Sequence, residues 1–131
     1  MKKPTKEKMR DKADALCTPI VKLISPNCEA CGMSTQVCHH WIEKSRSNRL
    51  RHDPMNFIAL CQSCHTKIHN LFGNSIVGGL NVADIIREKR GKKWCTDIIR
   101  IGNEIVKADY FFFEGNFNKL TQKLADLTDT G

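Results

Sequence analysis

The sequence predicts an α+β fold, in which a small core of two strands and one helix is flanked by helices and followed by a mainly helical C-terminal part. Two Cys-x-x-Cys pairs, at residues 28–31 and 61–64, enclose a stretch of chain long enough for a hairpin. An apolar run of strand length, Phe57–Leu60, leads directly into the second pair. On both sides of this region, apolar residues recur at helical spacing.

The N-terminal segment has the periodicity of a helix over residues 5–24. Its apolar positions are spaced four and three residues apart: Met9, Ala13, Leu16, Ile20 and Leu23. Because proline lacks an amide hydrogen, we expect Pro19 to break or kink this helix near Thr18, or to begin a second helix capped by Thr18. The helix should end at the turn formed by residues 25–27.

The region between and after the cysteine pairs predicts the order strand, loop, strand, helix. Residues 36–42 are short and mixed, which favours a strand, and residues 43–54 are polar without helical periodicity, which favours a loop. Phe57–Leu60 is the second strand, and residues 62–70 suit a short helix. In the tight turn of the first pair, Gly32 relieves backbone strain, because glycine has no Cβ.

The C-terminal part predicts further helices. Asn81 with Asp84 three residues later marks a helix start, and Gly91 marks its stop. Two apolar stripes follow: Trp94, Ile98, Ile101 and Ile105, and then Phe117, Leu120, Leu124 and Leu127. The last stripe is the candidate contact of a homodimer. We expect three parts: a basic helical segment at 1–27, the core at 28–72 and a helical extension at 73–131.

The charge of the chain is uneven. The net charge is +7, and residues 1–70 carry 12 Lys and Arg against 6 Asp and Glu, whereas residues 71–131 carry 9 against 8. A basic half predicts a polyanionic partner, most simply nucleic acid, with a solvated basic surface as the alternative. No secretory signal and no apolar run of membrane-spanning length is found, so we expect a cytoplasmic protein without a membrane partner.

The cysteines indicate a metal site. The chain has seven cysteines, an odd number, and four of them are in two metal-type pairs, which argues against a disulfide framework. The four are Cys28, Cys31, Cys61 and Cys64. Four thiolates complete a tetrahedral structural zinc and leave no position open for catalysis. Zinc binding would then contribute directly to the folding of a small core.

The histidines point to hydrolysis of phosphodiesters. His39 and His40 follow one another, and His65 and His69 stand four residues apart on one face of the predicted helix. Neutral imidazole ligates metals and also titrates nearest neutral pH. Phosphodiester hydrolysis needs a base for water and a cation for the growing charge, and adjacent histidines can divide this work.

These residues carry a family resemblance. The run CEACGMSTQVCHHWIEKSRSNRLRHDPMNFIALCQSCHTKIH resembles HNH endonucleases of the ββα-metal class. His40, Asn56 and His65 match the three positions that name the motif. The resemblance implies that His40 is the general base and that Asn56 braces the loop carrying it. It also implies that His39 and His65 hold a catalytic divalent metal (Mg, Mn, Co, Ni or Zn), with His69 binding metal or the scissile phosphate.

Within the class, the cysteine frame is similar to that of phage endonuclease VII, where four cysteines hold a structural zinc. The segment LRHDPMNFIALCQSC is similar to phage recombination nucleases of the NinG type. Two positions depart from these relatives. His39 stands where the NinG type usually has Gly and endonuclease VII has Asp, and His65 stands where the NinG type has Asn. The three-histidine set resembles colicin-type DNases more closely. The resemblance therefore implies duplex or branched DNA as the substrate.

The segment between His40 and Asn56 is basic and should contact the DNA backbone. Residues 44–52 contain no acid, and their cations are Lys44, Arg46, Arg49 and Arg51. Phosphate contacts of this kind position a protein without reading bases. A solvated loop is the alternative. A second basic cluster surrounds Gly91 and either extends the DNA contact or is a solvated helix end: Arg87, Lys89, Arg90, Lys92 and Lys93.

Two other functions compete with a DNA endonuclease. A non-catalytic, zinc-stabilised DNA-binding module would use the histidines only for packing, but four of the five histidines fall on the motif. An RNase or toxin nuclease with the same centre stays open, because the centre recognises a phosphodiester and not a sugar.

Overall fold

The computed structural model describes residues 4–69, 76–77 and 80–129. Its elements, in chain order, are α1 (Lys6–Ile24), β1 (Val37–His40), α2 (Asn48–Arg51), a 3-10 turn (Pro54–Asn56), β2 (Phe57–Leu60), α3 (Gln62–Ile68), β3 (Ile76–Val77), β4 (Leu80–Asn81), α4 (Val82–Arg90), α5 (Lys92–Gly102) and α6 (Tyr110–Asp129). The predicted α+β fold is confirmed, with a two-stranded hairpin, a short helix and flanking helices. Asn70, the expected end of α3, and the expected core boundary at 72 lie outside the described residues.

The two strands of the core pair antiparallel, as the sequence predicts. His39 lies opposite Ile58, and His40 lies opposite Phe57. All four residues of β2 are buried, because both faces of the hairpin are covered. Phe57 and Ala59 pack with α1 and α6, whereas Ile58 and Leu60 pack with the cysteines and α4. The hairpin therefore separates two small apolar clusters.

Helix α1 is one continuous helix, so a break near Thr18 and a second helix beginning at Pro19 are both wrong. Thr5 caps its start by accepting a hydrogen bond from the Lys8 amide. Proline removes a single intrahelical hydrogen bond. On either side of it, Cys17, Ile20 and Val21 are buried in the first cluster. We attribute the continuity of α1 to this burial, which outweighs the local preference of proline.

The segment 43–54, expected to be a loop, contains the four-residue helix α2 and begins the 3-10 turn. Ser47 caps α2 by accepting from the Leu50 amide. Leu50 is fully buried and approaches α5 so closely that a Cβ on Gly102 would lie 3.1 Å from its Cδ1. A single turn is too short to show helical periodicity, so only its burial distinguishes it from a loop.

The C-terminal part is helical, as the sequence predicts, with one correction. Asn81 caps α4 and Gly91 ends it with φ of +90°, as expected. Ile105 lies beyond the end of α5 and is 99% exposed, so its place in an apolar stripe is wrong. The stripe of α6 (Phe117, Leu120, Leu124 and Leu127) packs in the first cluster beside α1. Leu120 is buried there, and the other three residues are half-buried, so the stripe contributes to the core, and its role as a dimer contact stays a prediction.

Among the described helices, none combines the length and the apolar composition that crossing a membrane requires.

Candidate metal centres and active site

The four paired cysteines converge on one point. Cys28 and Cys31 lie in a tight turn that Gly32 completes with φ of +82°, while Cys61 caps α3 and Cys64 lies in its first turn. Their sulfur atoms all lie within 4.8 Å of one another, and the Sγ atoms of Cys31 and Cys61 are 3.6 Å apart. A tetrahedral zinc with Zn–S bonds of about 2.3 Å separates its sulfurs by about 3.8 Å. The cluster therefore fits a structural zinc.

The protonation of this cluster also calls for a cation. Burial acts to raise the pKa of Cys28, but hydrogen bonds from the backbone amides of Cys61 and Cys31 lower that pKa to about 7. Burial and hydrogen bonds with the neighbouring thiols raise the pKa of Cys64. Four crowded thiols cannot all ionise without a positive charge among them, because thiolates repel one another. A bound zinc would supply that charge and stabilise every thiolate.

Helix α4 fixes the first cysteine turn through contacts that the sequence did not predict. The Arg90 guanidinium donates to both oxygens of Glu29, at 2.8 Å each, and also to the Phe57 carbonyl. Glu29 in turn accepts from the Ala59 amide at 2.7 Å. These charge-assisted bonds tie the turn, β2 and α4 together. The sequence placed Arg90 only in the basic cluster around Gly91, and no local pattern pairs it with Glu29, which lies 61 residues away in the chain.

The two adjacent histidines of β1 serve opposite faces of the hairpin, because successive side chains of a strand alternate. His39 is 8% exposed and faces α3, where its ring centroid lies 5.4 Å from that of His65 and 4.9 Å from that of His69. His40 contacts the ring of Phe57 on the other face. The strand thereby assigns the two imidazoles to different surroundings.

His39, His65 and His69 form a second candidate metal centre. One ring nitrogen from each lies within 4.8 Å of the others, and the Nε2 atoms of His65 and His69 are 3.1 Å apart. Two imidazoles bound at about 2.1 Å and at right angles to one ion are separated by about 3.0 Å. The set therefore fits one divalent ion and leaves coordination positions for other ligands.

The surroundings of His39 and His65 keep these two side chains neutral. Burial, together with the nearby His69 and His65, lowers the pKa of His39 to about 3. Burial and then His69 lower the pKa of His65. Neutral imidazoles offer the lone pair that a metal requires, so His39 and His65 are ready to ligate at neutral pH.

His40 is held in one tautomer by the loop that follows it. Its Nε2 lies 2.9 Å from the backbone carbonyl oxygen of Arg51. A carbonyl only accepts, so Nε2 carries the hydrogen and donates it. The Nδ1 atom is then left with a lone pair, which is the form of imidazole that accepts a proton.

Asn56 connects the two ends of this loop and is fully buried. Its Oδ1 accepts from the Ile42 amide at 2.8 Å, and its Nδ2 donates to the Ile42 carbonyl at 3.0 Å. The same Nδ2 lies 3.4 Å from the Leu50 carbonyl oxygen. One side chain thus fixes the segment after His40 and the turn that precedes Arg51.

The histidines open into a cleft of about 480 Å³. All four of the motif line it, with Lys44 and Glu43 on one side and Asp14, Cys17 and Thr18 of α1 on another. A second recess of about 290 Å³ adjoins the cleft, shares His39, His40, Glu43 and His69 with it, and is also lined by Trp41 and Arg87. The shared histidines thus have a cation in each recess, Lys44 in the first and Arg87 in the second.

The structure corrects the picture of a flexible basic loop. Arg51 is engaged by Asp14 through two hydrogen bonds, and its side chain is only 14% exposed. Arg49 pairs with Asp53 and Glu104. These two arginines are occupied within the protein, so they do not fit the expected phosphate contacts. Arg46 is exposed beside Glu43, and Lys44 is exposed at the cleft.

The comparison with family models finds HNH endonuclease over residues 28–71, which are 44 of the 131 residues. No curated protein and no solved structure matches the chain. The matched range contains both cysteine pairs and all four histidines of the cleft. The match to HNH endonuclease is therefore confined to the hairpin and α3, and α1 and the helices from α4 onward lie outside it.

Proposed function

We propose that this protein is a metal-dependent endonuclease that hydrolyses phosphodiester bonds in DNA. The observation that carries the proposal is the position of His40. The Arg51 carbonyl accepts the hydrogen of its Nε2, which leaves the lone pair on Nδ1, and its ring lines the same cleft as the three-histidine cluster. A base and a cation site in one cleft are the two requirements of phosphodiester hydrolysis. The HNH match supports the same conclusion.

In the proposed reaction, His40 Nδ1 removes a proton from the attacking water, while the Arg51 carbonyl stabilises the opposite edge of the ring. His39 and His65, with His69, are the residues that would hold the divalent ion. When bound, that ion supplies positive charge to the phosphate and to the leaving oxygen. The residues that would hold the structural zinc, and so fix the first cysteine turn against α3, are Cys28, Cys31, Cys61 and Cys64.

Cations on either side of the histidines extend the proposed site along a nucleic-acid backbone. Lys44 lies in the cleft, and Arg87 lies in the second recess. Arg87 pairs with Asp84, but both side chains are more than half exposed, so this pair is weak and can exchange for phosphate. We assign backbone contacts to Lys44 and Arg87 in place of Arg49 and Arg51.

The resemblance to endonuclease VII and to the NinG type supports branched DNA as the substrate within this class. Two rival functions predict different products. A DNA-binding module would bind DNA and would not cleave it, whichever metal ion is added. An RNase or toxin nuclease would cleave RNA in preference to DNA.

One assay separates these functions. Purified zinc-bound protein is incubated with linear duplex DNA, a four-way junction and RNA, in Mg²⁺, Mn²⁺, Co²⁺ or Ni²⁺ and in chelator at a concentration that leaves the zinc bound. We expect metal-dependent cleavage of DNA, with activity in the softer ions because imidazole ligands accept them. His40→Ala should lower the rate by roughly 10²- to 10⁴-fold without loss of DNA binding.

Full cleavage in chelator would reject the second metal. A wild-type rate in His40→Ala would reject His40 as the base and make His39 the candidate.

A further inference from the structure

We propose that Asp14, in the N-terminal helix α1, is a positioning residue that orients the general base His40 through the backbone of Arg51. The inference rests on the proposed function, in which His40 accepts the proton. It adds to the site a residue that lies outside the HNH match, since Asp14 precedes residue 28.

The first link is the contact between Asp14 and Arg51. The two carboxylate oxygens of Asp14 accept from Nε and Nη2 of Arg51 at 2.9 and 2.6 Å. This is the bidentate geometry that fixes a guanidinium in its plane as well as in position. The side chains are 18% and 14% exposed, so solvent competes little for either partner.

The second link holds the next residue of the same loop. His52 is buried, and its Nε2 lies 2.7 Å from Asp14 Oδ1. On its other edge, Nδ1 lies 3.0 Å from Nδ2 of Asn116 in α6. A neutral His52 satisfies both contacts, donating to Asp14 from Nε2 and accepting from Asn116 at Nδ1. One carboxylate therefore holds two consecutive side chains of the loop.

Asp14 is ionised in this arrangement. Burial acts to raise the pKa of its carboxyl, but hydrogen bonds from Arg51 and His52 outweigh burial and hold that pKa well below its ordinary value. An ionised carboxylate with both oxygens bonded is a firm anchor, and its negative charge excludes it as a direct contact for phosphate.

The third link joins this anchor to the base. The acceptor for His40 Nε2–H is the carbonyl of Arg51, whose side chain Asp14 holds. With the side chains of residues 51 and 52 both fixed, the peptide between them has little freedom to rotate. The direction of its carbonyl, and with it the tautomer and the ring orientation of His40, is then set from α1. Second-layer partners of this kind typically change activity by roughly 10- to 100-fold.

A double-mutant cycle distinguishes this role from a purely structural one. Asp14→Asn removes the charge at nearly constant volume, and Asp11→Asn, an exposed position one turn earlier in α1, is the matched control. Both are made in wild-type protein and in His40→Ala. For each we measure the single-turnover cleavage rate at saturating DNA, the Kd for DNA, the zinc content and the Tm.

We expect Asp14→Asn to lower the rate by roughly 10- to 100-fold with DNA affinity unchanged, and Asp11→Asn to leave both unchanged. In the His40→Ala background, Asp14→Asn should have no further effect, because the residue it orients is gone. If Asp14→Asn lowers the cleavage rate by the same factor in both backgrounds, its role is structural and the proposal is overturned. A wild-type cleavage rate in Asp14→Asn also overturns it.

If Asp14→Asn does not fold, Arg51→Lys takes its place in the cycle, because it keeps the charge but loses the fork. A loss that disappears in the His40→Ala background supports the proposal, and an equal loss in both backgrounds or no loss overturns it. Absence of cleavage by the wild-type protein would instead reject the proposed function, so the two failures are distinct.

Discussion

Replacement of Asn56 by Ala tests how the loop that orients His40 is held. The side chain is fully buried and makes two short hydrogen bonds, one to the amide and one to the carbonyl of Ile42. Alanine leaves both backbone groups without these partners. We therefore expect a loss of stability together with a loss of cleavage, since the loop that carries the Arg51 carbonyl is released.

The size of the effect follows from these bonds. A buried polar group deprived of its partner costs about 1 to 3 kcal/mol. Two such groups, with some relaxation of the loop, give a loss of about 3 kcal/mol in the free energy of unfolding. For 131 residues the entropy of unfolding is about 0.28 kcal/mol per kelvin, so the Tm should fall by about 10 °C.

The assay is thermal unfolding at saturating zinc, followed by single-turnover cleavage below the lower Tm. Asn48→Ala is the matched control, because Asn48 is an exposed asparagine in the same loop. Its Tm should move by no more than the equivalent of about 0.5 kcal/mol. Asn56→Ala with the Tm and rate of the wild type would refute the reasoning that these bonds fix the loop.

Three further predictions concern the metals and the DNA. Cys61→Ser should lose the zinc and leave the domain unfolded or insoluble, as measured by zinc content and solubility. A wild-type protein that is folded without zinc would contradict a structural role for the zinc. His65→Ala should keep one zinc but bind Mn²⁺ at least roughly 10-fold more weakly in calorimetric titration, and equal affinity would argue against the histidine site. Lys44→Ala with Arg87→Ala should flatten the log-log salt dependence of DNA binding by up to about 1.8 units. The control is Lys107→Ala, at an exposed lysine that lies in neither recess, and it should leave that slope unchanged. An unchanged slope in the double variant would reject the contacts of Lys44 and Arg87 with the DNA backbone.

Local features of the sequence were sufficient to predict the strands and the short helix of the core. The Cys-x-x-Cys pairs, the apolar run of β2, the glycines at 32 and 91 and the cap at Asn81 each depend on a few neighbouring residues, so the pattern alone predicts them. The alternation of a strand also implies that adjacent histidines have different surroundings. These features predicted the α+β fold and grouped the cysteines and histidines before any contact was known.

Contacts between distant residues required the tertiary structure. The sequence predicted a break, a kink or a second helix at Pro19, but α1 is one helix whose residues around Pro19 are buried. It also assigned Arg51 to DNA, whereas Asp14, 37 residues earlier, engages it. No rule of sequence spacing pairs an acidic residue in one helix with an arginine in a loop so far along the chain. The only sequence signal was an acid at the edge of the buried face of α1.

The sequence by itself determined which residues are able to bind metal or take up a proton, because side-chain chemistry and short spacings are local properties. The tertiary structure decided which of them act together. Packing between α1, the loop and α6 decides whether a charged side chain faces solvent or an ionic partner, as it does for Arg51. The same packing sets the tautomer of His40. Burial and long-range pairing arise only when the whole chain is folded.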